Sequence, residues 1–317
     1  MGRTGILTAW DRMASVRARP RRTLAEEAGA GLFFNPDLVP VLVHPAVREK
    51  GDEWRRRYLA LHLVRYLEYT DTLELEIVNP ALVALVRSGG ELDLPRDFIV
   101  DGHKIYVDEG YHAHMSVDLR DQVATAAGLQ VRPAAQPGLR RLAGLVAEAG
   151  AGDRGMLRLL TAVCSETLIS ANLSQADDDR LLPAVRDVIR DHADDERTHH
   201  AYFSRLFRLI WPALDDAARA RFGVRLPEIL ALLLEPNVEA AAIDLAELGL
   251  SPAAARQVAV EALRDAGGPQ AMRAAAAPTL ALFRRVGLFD EPRVRDAFDR
   301  AGLLAAADCA TVPTAAE

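Results

Sequence analysis

Two cysteines in 317 residues, Cys164 and Cys309, are too few and too far apart to make a disulfide framework. The chain must be held by its core, and a reducing, cytoplasmic setting fits. No apolar run reaches the ~20 residues that a membrane span needs. The first residues also lack the apolar segment of a signal peptide. No membrane partner is expected. Aromatic residues are scarce, at 6%, although half of the chain is hydrophobic. The apolar content is therefore largely Ala and Leu, which favours helices over strands. Positive charge is not in excess, since the formal net charge is −7. Nothing in that balance calls for nucleic acid. Arg3, Arg12, Arg17, Arg19, Arg21 and Arg22 make the start basic, and the reading there is a solvated arm or a first helix. No flavin or nicotinamide motif is present. Residues 213–317 carry no histidine, so chemistry is not expected there; packing around the rest and a dimer contact are.

What the chain does have is concentrated in Asp191–His199. His192, Glu196 and His199 stand at i, i+4 and i+7, on one helical face. Val185, Val188 and Ile189 continue that face on one side, and Phe203 and Leu206 on the other. Ionisable groups inside an apolar stripe are costly unless neutralised, and a metal ion is the simplest neutraliser. Asp194, Asp195 and Arg197 read as the wet face of this helix. Glu109 and His112 form a second Glu-x-x-His, on a face with Ile105, Tyr106, Ala113 and Ser116.

Two Glu-x-x-His helices plus one Glu on each of two others make the dinuclear carboxylate site of ferritin-like bundles. The chain offers both lone acids. Glu74 shares a face with Leu67, Thr70, Ile77 and Val78, and is preferred to Glu76 and Glu68; Glu76 stays open as the alternative. Glu166, among Leu159, Ala162, Val163, Ile169 and Leu173, is the only acid between Asp153 and Asp177. The candidate metal set is then Glu74, Glu109, His112, Glu166, His192, Glu196 and His199. Four carboxylates carry −4 and two Fe²⁺ carry +4, so a di-iron pair would be neutral in a low-dielectric interior. Asp118 and Asp191 are the favoured hydrogen-bond partners for the imidazoles, with Asp195 read as a solvated acid. Tyr66, Thr70 and Asn172 are the candidate substrate-pocket residues.

The order Glu; Glu-x-x-His; Glu; His-x-x-x-Glu-x-x-His resembles the AurF-type family of di-iron N-oxygenases, within the ferritin-like superfamily. The resemblance adds that family members carry an extra histidine one turn before the last Glu-x-x-His, the position His192 fills. It covers roughly residues 32–210, including Pro40-Val41, His44-Pro45 and Asn79-Pro80-Ala81, and is weak beyond Pro212. It implies two iron ions, O₂ activation and transfer of oxygen to the nitrogen of a small-molecule amine, in specialised-metabolite biosynthesis. The alternatives are a di-iron C-hydroxylase or desaturase, and a ferroxidase or iron-binding ferritin-like protein. Some of the family uses a pocket arginine for a substrate carboxylate. Arg65 is the only basic residue close to Glu74, and its poor phase argues against such a substrate.

The expected architecture is all-α: a ferritin-like four-helix bundle with a crossover and additional N- and C-terminal helices. A single domain, 1–317, would hold a di-iron core at 52–211, a lead-in at 1–51 and a helical extension at 212–317. The first core helix should bend or break at Asn79-Pro80, where proline removes a backbone donor. An external electron donor such as a ferredoxin or flavin reductase is needed, and a homodimer is expected.

Overall fold

The computed structural model describes residues 5–24, 31–88 and 92–304, without the side chains of 170–172 and 174. Among these residues the structure is helical. Two short helices, α1 (Trp10–Met13) and α2 (Ser15–Ala18), precede two 3₁₀ turns. Then come α3 (Asp52–Leu73), a π-turn (Glu74–Val78), α4 (Asn79–Ser88), α5 (Arg96–Ala126), α6 (Pro137–Glu148), α7 (Ala151–Ala176) and α8 (Pro183–Ala213). The chain continues through α9 (Asp216–Gly223), α10 (Leu226–Leu233), α11 (Val238–Glu247), α12 (Pro252–Leu263), α13 (Pro269–Ala275), α14 (Ala277–Arg285) and α15 (Pro292–Arg300). No described helix is long and apolar enough to cross a membrane.

The bundle is the ferritin-like arrangement expected. The α3–α4 rod packs on α5, α7 packs on α8, and α4–α7 and α5–α8 contacts close the four-membered ring, with α6 as the crossover. The α8 stripe is buried along its whole length, from Val185 through Glu196 to Phe203 and Leu206. Pro183 occupies the first turn of α8, where its missing N–H has no helical partner to lose.

Asn79-Pro80 does not break the first core rod. Proline lacks the N–H for an i→i−4 bond, and its ring crowds the carbonyl four residues back. The helix answers by widening one turn earlier: the Asn79 N–H bonds to the Glu74 carbonyl, five residues back. The π-turn lets α3 and α4 run on end to end.

Hydrogen bonds tie later elements to this bundle. The Thr167 and Thr279 hydroxyls, on α7 and α14, lie 2.7 Å apart. Tyr69 of α3 donates to the Leu233 carbonyl of α10 at 3.0 Å. The N-terminal segment is clipped too. Leu32 pairs with Leu181 in an isolated parallel bridge just before α8.

Candidate metal centre

The fold brings the seven residues marked by spacing into one buried cluster. Glu74 comes from the π-turn, Glu109 and His112 from α5, Glu166 from α7, and His192, Glu196 and His199 from α8. All seven are at most 4% exposed. Their donor atoms form three overlapping groups, each with its atoms within 4.8 Å of one another. The groups are Glu74–His112–His192–Glu196, Glu109–His112–Glu196–His199 and Glu74–Glu109–Glu166. Glu76 is exposed, and Glu68 turns away to an ion pair with Arg65 at 2.8 Å. Tyr106, expected on the Glu109 face, is 45% exposed.

The hydrogen-bond pattern is one that a bound cation would satisfy. His112 turns Nδ1 inwards, 2.9 Å from Glu109 Oε2 and 3.4 Å from Glu196 Oε1. Its Nε2 points out, 3.2 Å from Asp195 Oδ2. His199 repeats the pattern, with Nδ1 2.9 Å from Glu109 Oε1 and 3.2 Å from Glu196 Oε1, and Nε2 3.1 Å from Asp108 Oδ2. His192 instead points Nε2 at Glu196 Oε1, 3.3 Å away. A neutral imidazole has one N–H. If it donates outward, the inward Nδ1 lone pair faces carboxylate oxygens, which is favourable only with a proton or metal between them. Neither oxygen of Glu74, and neither of Glu166, meets a hydrogen-bond donor. Buried carboxylates without donors are costly. Hard carboxylates mixed with imidazoles suit first-row ions such as iron, so the residues fit a dinuclear centre.

Protons divide unevenly over this cluster. Burial, reinforced by Glu109 and Glu196, pushes Glu74 well above the usual carboxylate range. Burial with Glu196 and Glu109 does the same to Glu166. Burial also opposes charge on Glu109 and Glu196, but His199 and the other hydrogen-bonding imidazoles outweigh it and hold both below that range. His112 and His199 are pulled down by burial and lifted further by the carboxylates around them, ending well above the ordinary value. Burial, then neighbouring His112, lowers His192.

The imidazole partners differ from those expected. Asp195 is buried, not solvated, and it holds His112; Asp108 holds His199. Asp118 instead accepts from Arg21 and Gln122. Asp191 accepts from Arg22. Phase within one helix misleads here, because each aspartate serves a histidine on the other helix. A signal was nevertheless present. Both motifs read Asp-Glu-x-x-His, Asp108 to His112 and Asp195 to His199, and the two aspartates cross between helices in the same way. Of the two readings of the basic start, the helical one holds for Arg12 and Arg17, which lie in α1 and α2. Arg19, Arg21 and Arg22 all pair with acids of α5 or α8.

Of the pocket candidates, Tyr66 lines a cavity of ≈ 200 Å³ with His62, Arg65, Tyr69 and Leu139. Thr70 is buried, and its hydroxyl bonds to the Tyr66 carbonyl within the helix. Asn172 lies in α7, with its side chain outside the described residues. Arg65 is engaged by Asp244 through two nitrogens, at 2.7 and 3.0 Å, and by Glu68 and the Arg132 carbonyl.

The family described as P-aminobenzoate N-oxygenase AurF matches residues 20–287 of this chain. The match begins ahead of α3 and runs well past Pro212, where the likeness legible in individual residues fades. No curated protein matches the chain.

Proposed function

We propose, from the premise that the chain belongs to the p-aminobenzoate N-oxygenase AurF family, that it oxygenates the nitrogen of a small-molecule amine at a pair of iron ions. The observation that carries this reading is the convergence of four carboxylates and three imidazoles in overlapping, buried, metal-sized groups. Glu74, Glu109, His112, Glu166, His192, Glu196 and His199 are the assigned ligands. Two ferrous ions bound there would supply electrons and open positions for activating O₂. Residues 52–211 are assigned as the metal core of a single domain, with 1–51 as lead-in and 212–317 as extension. The protein is assigned to the cytoplasm as a homodimer, working with an external electron donor such as a ferredoxin or flavin reductase. A role in specialised-metabolite biosynthesis follows from the reaction class.

The protein's own groups define the work of the site. Glu109 and Glu196 lie between imidazoles and bridge the two helices that carry them. Asp108 and Asp195 keep the His199 and His112 protons on Nε2, which leaves each Nδ1 lone pair facing the ligand cluster. Burial excludes bulk water and strengthens every electrostatic contact inside. The amine must arrive neutral, because an ammonium has no lone pair. Arg65 is already saturated by Asp244 and Glu68, so it has little to offer a substrate carboxylate. A weakly basic aryl amine without a carboxylate is the preferred substrate class.

The test is a panel of aryl and alkyl amines, with and without ring carboxylates, given to the iron-loaded, chemically reduced protein under ¹⁸O₂. Mass spectrometry should find label on nitrogen. Label on carbon alone, or plain dehydrogenation, would favour the C-hydroxylase or desaturase instead.

A further inference from the structure

The N-terminal segment follows the seam between the two histidine-bearing helices. Along α5 it meets Asp101, then Asp108, then Asp118 and Gln122; along α8 it meets Asp195, then Asp191 and Asp187. It therefore runs with α5 and against α8. Most of these anchors sit at the edges of the seam, but two reach the metal cluster. Trp10 Nε1 lies 2.8 Å from both carboxylate oxygens of Asp108, and Asp108 Oδ2 lies 3.1 Å from His199 Nε2. The Ser15 backbone N–H lies 3.2 and 3.1 Å from the two oxygens of Asp195, and Asp195 Oδ2 lies 3.2 Å from His112 Nε2. Each aspartate thus takes one donor from the segment and one from an imidazole.

A carboxylate held only by an imidazole can rotate about its Cβ–Cγ bond and carry the ring with it. A second donor, fixed on a separate piece of chain, stops that rotation. The lead-in is also docked firmly enough to act as a fixed support. Lys104 Nζ bonds the Leu7 carbonyl and Asp101. The Ser15 hydroxyl donates to the Asp191 carbonyl at 2.9 Å. Arg17 lies over the Trp10 ring, 5.6 Å from its centroid.

We propose that Trp10 and the Ser15 backbone N–H are positioning groups of the metal centre, which fix His199 and His112 through Asp108 and Asp195. This rests on the metal-binding reading above. No ligand set confined to residues 52–211 would then be complete in function, because its imidazoles are oriented from residues 10 and 15.

The test uses the full chain and Co²⁺ as probe, titrated without oxygen and followed by visible absorption and by chelator competition. Wild type should bind two Co²⁺. Trp10→Phe keeps an aromatic ring, though a smaller one, and removes the N–H; it should weaken one of the two ions by about 10–100-fold and change that ion's absorption bands. Ser15→Pro removes the N–H at the first position of α2, where proline suits the backbone. Compared with Ser15→Ala, which deletes only the hydroxyl, it should weaken the other ion. Wild-type affinity and spectrum in Trp10→Phe would overturn the proposal and leave the metal reading standing. So would a loss of affinity that merely tracks the thermal stability of the metal-free variant, with unchanged bands. A wild type that binds no Co²⁺ would overturn the metal reading, and this inference with it.

Discussion

On α5 and α8, the site side chains have partners supplied by the protein: Glu109 and Glu196 lie against imidazoles, and two of those imidazoles lie against aspartates. On the π-turn and α7, the oxygens of Glu74 and Glu166 meet no hydrogen-bond donor. The same residue type is therefore braced in one half of the centre and unbraced in the other. A braced carboxylate keeps one geometry whatever is bound. An unbraced one can change its mode of binding, which a centre needs if its coordination is to vary during a reaction.

The largest expected effect lies on the braced side. Glu196 belongs to two of the three donor groups and Glu166 to one. We expect Glu196→Ala to abolish binding of both irons and Glu166→Ala to retain one, as elemental analysis of anaerobically loaded protein would show. Two irons per chain in Glu196→Ala would end the comparison.

Metal removal comes next. Ligands that bind only the folded chain stabilise it, by about 2.7 kcal/mol at 100-fold excess over Kd. Stripping the loaded protein with a chelator should lower Tm accordingly, and an unchanged Tm would count against a resident ion. A smaller effect should separate the two halves by sign. In metal-free protein, Glu74→Gln and Glu166→Gln replace buried acids whose charged form burial disfavours by groups that are always neutral, and should raise stability at neutral pH by about 1–3 kcal/mol. Glu109→Gln breaks contacts to two imidazoles and should lower it. Thermal unfolding in chelator reads both signs, at roughly 1.5 °C per kcal/mol for a chain of this size. A fall in Tm for Glu166→Gln would show that its carboxylate is braced after all.

The smallest change in stoichiometry is expected for His192→Ala. Glu74, His112 and Glu196 remain in its donor group, so two irons should stay and only the spectrum of one should shift. Spectra identical to wild type would remove His192 from the ligand set.

Helix placement was legible because it depends on local spacing, and the convergence of motifs because two Glu-x-x-His helices and two lone glutamates are the ligand pattern of a ferritin-like bundle. The stripe through His192, Glu196 and His199 needs only the 3.6-residue period, and α8 buries it as that period requires. What escaped was non-local or non-periodic. Asp108 and Asp195 look misphased on their own helices, since the side chains they serve lie across a helix pair. The docking of residues 5–24 depends on acids about 95–180 positions away, and no property of the arm itself names them. Pro80 marks a disturbance in the rod, but proline alone does not say whether a helix breaks, kinks or widens.

The widened turn also carries a consequence for how this site could change over time. Adding a residue to an ordinary α-helix turns everything beyond it by roughly 100° and drags one flank out of the core. A π-turn stores one surplus residue locally, so α3 and α4 keep their buried faces on both sides of it. Glu74 sits at the start of that surplus. It is the proposed ligand at which the chain could lose a single residue while Leu67 before it and Leu82 and Leu85 after it stay packed. Among the four core rods, this is where a one-residue deletion could alter the surroundings of the proposed metal centre without first dismantling the bundle.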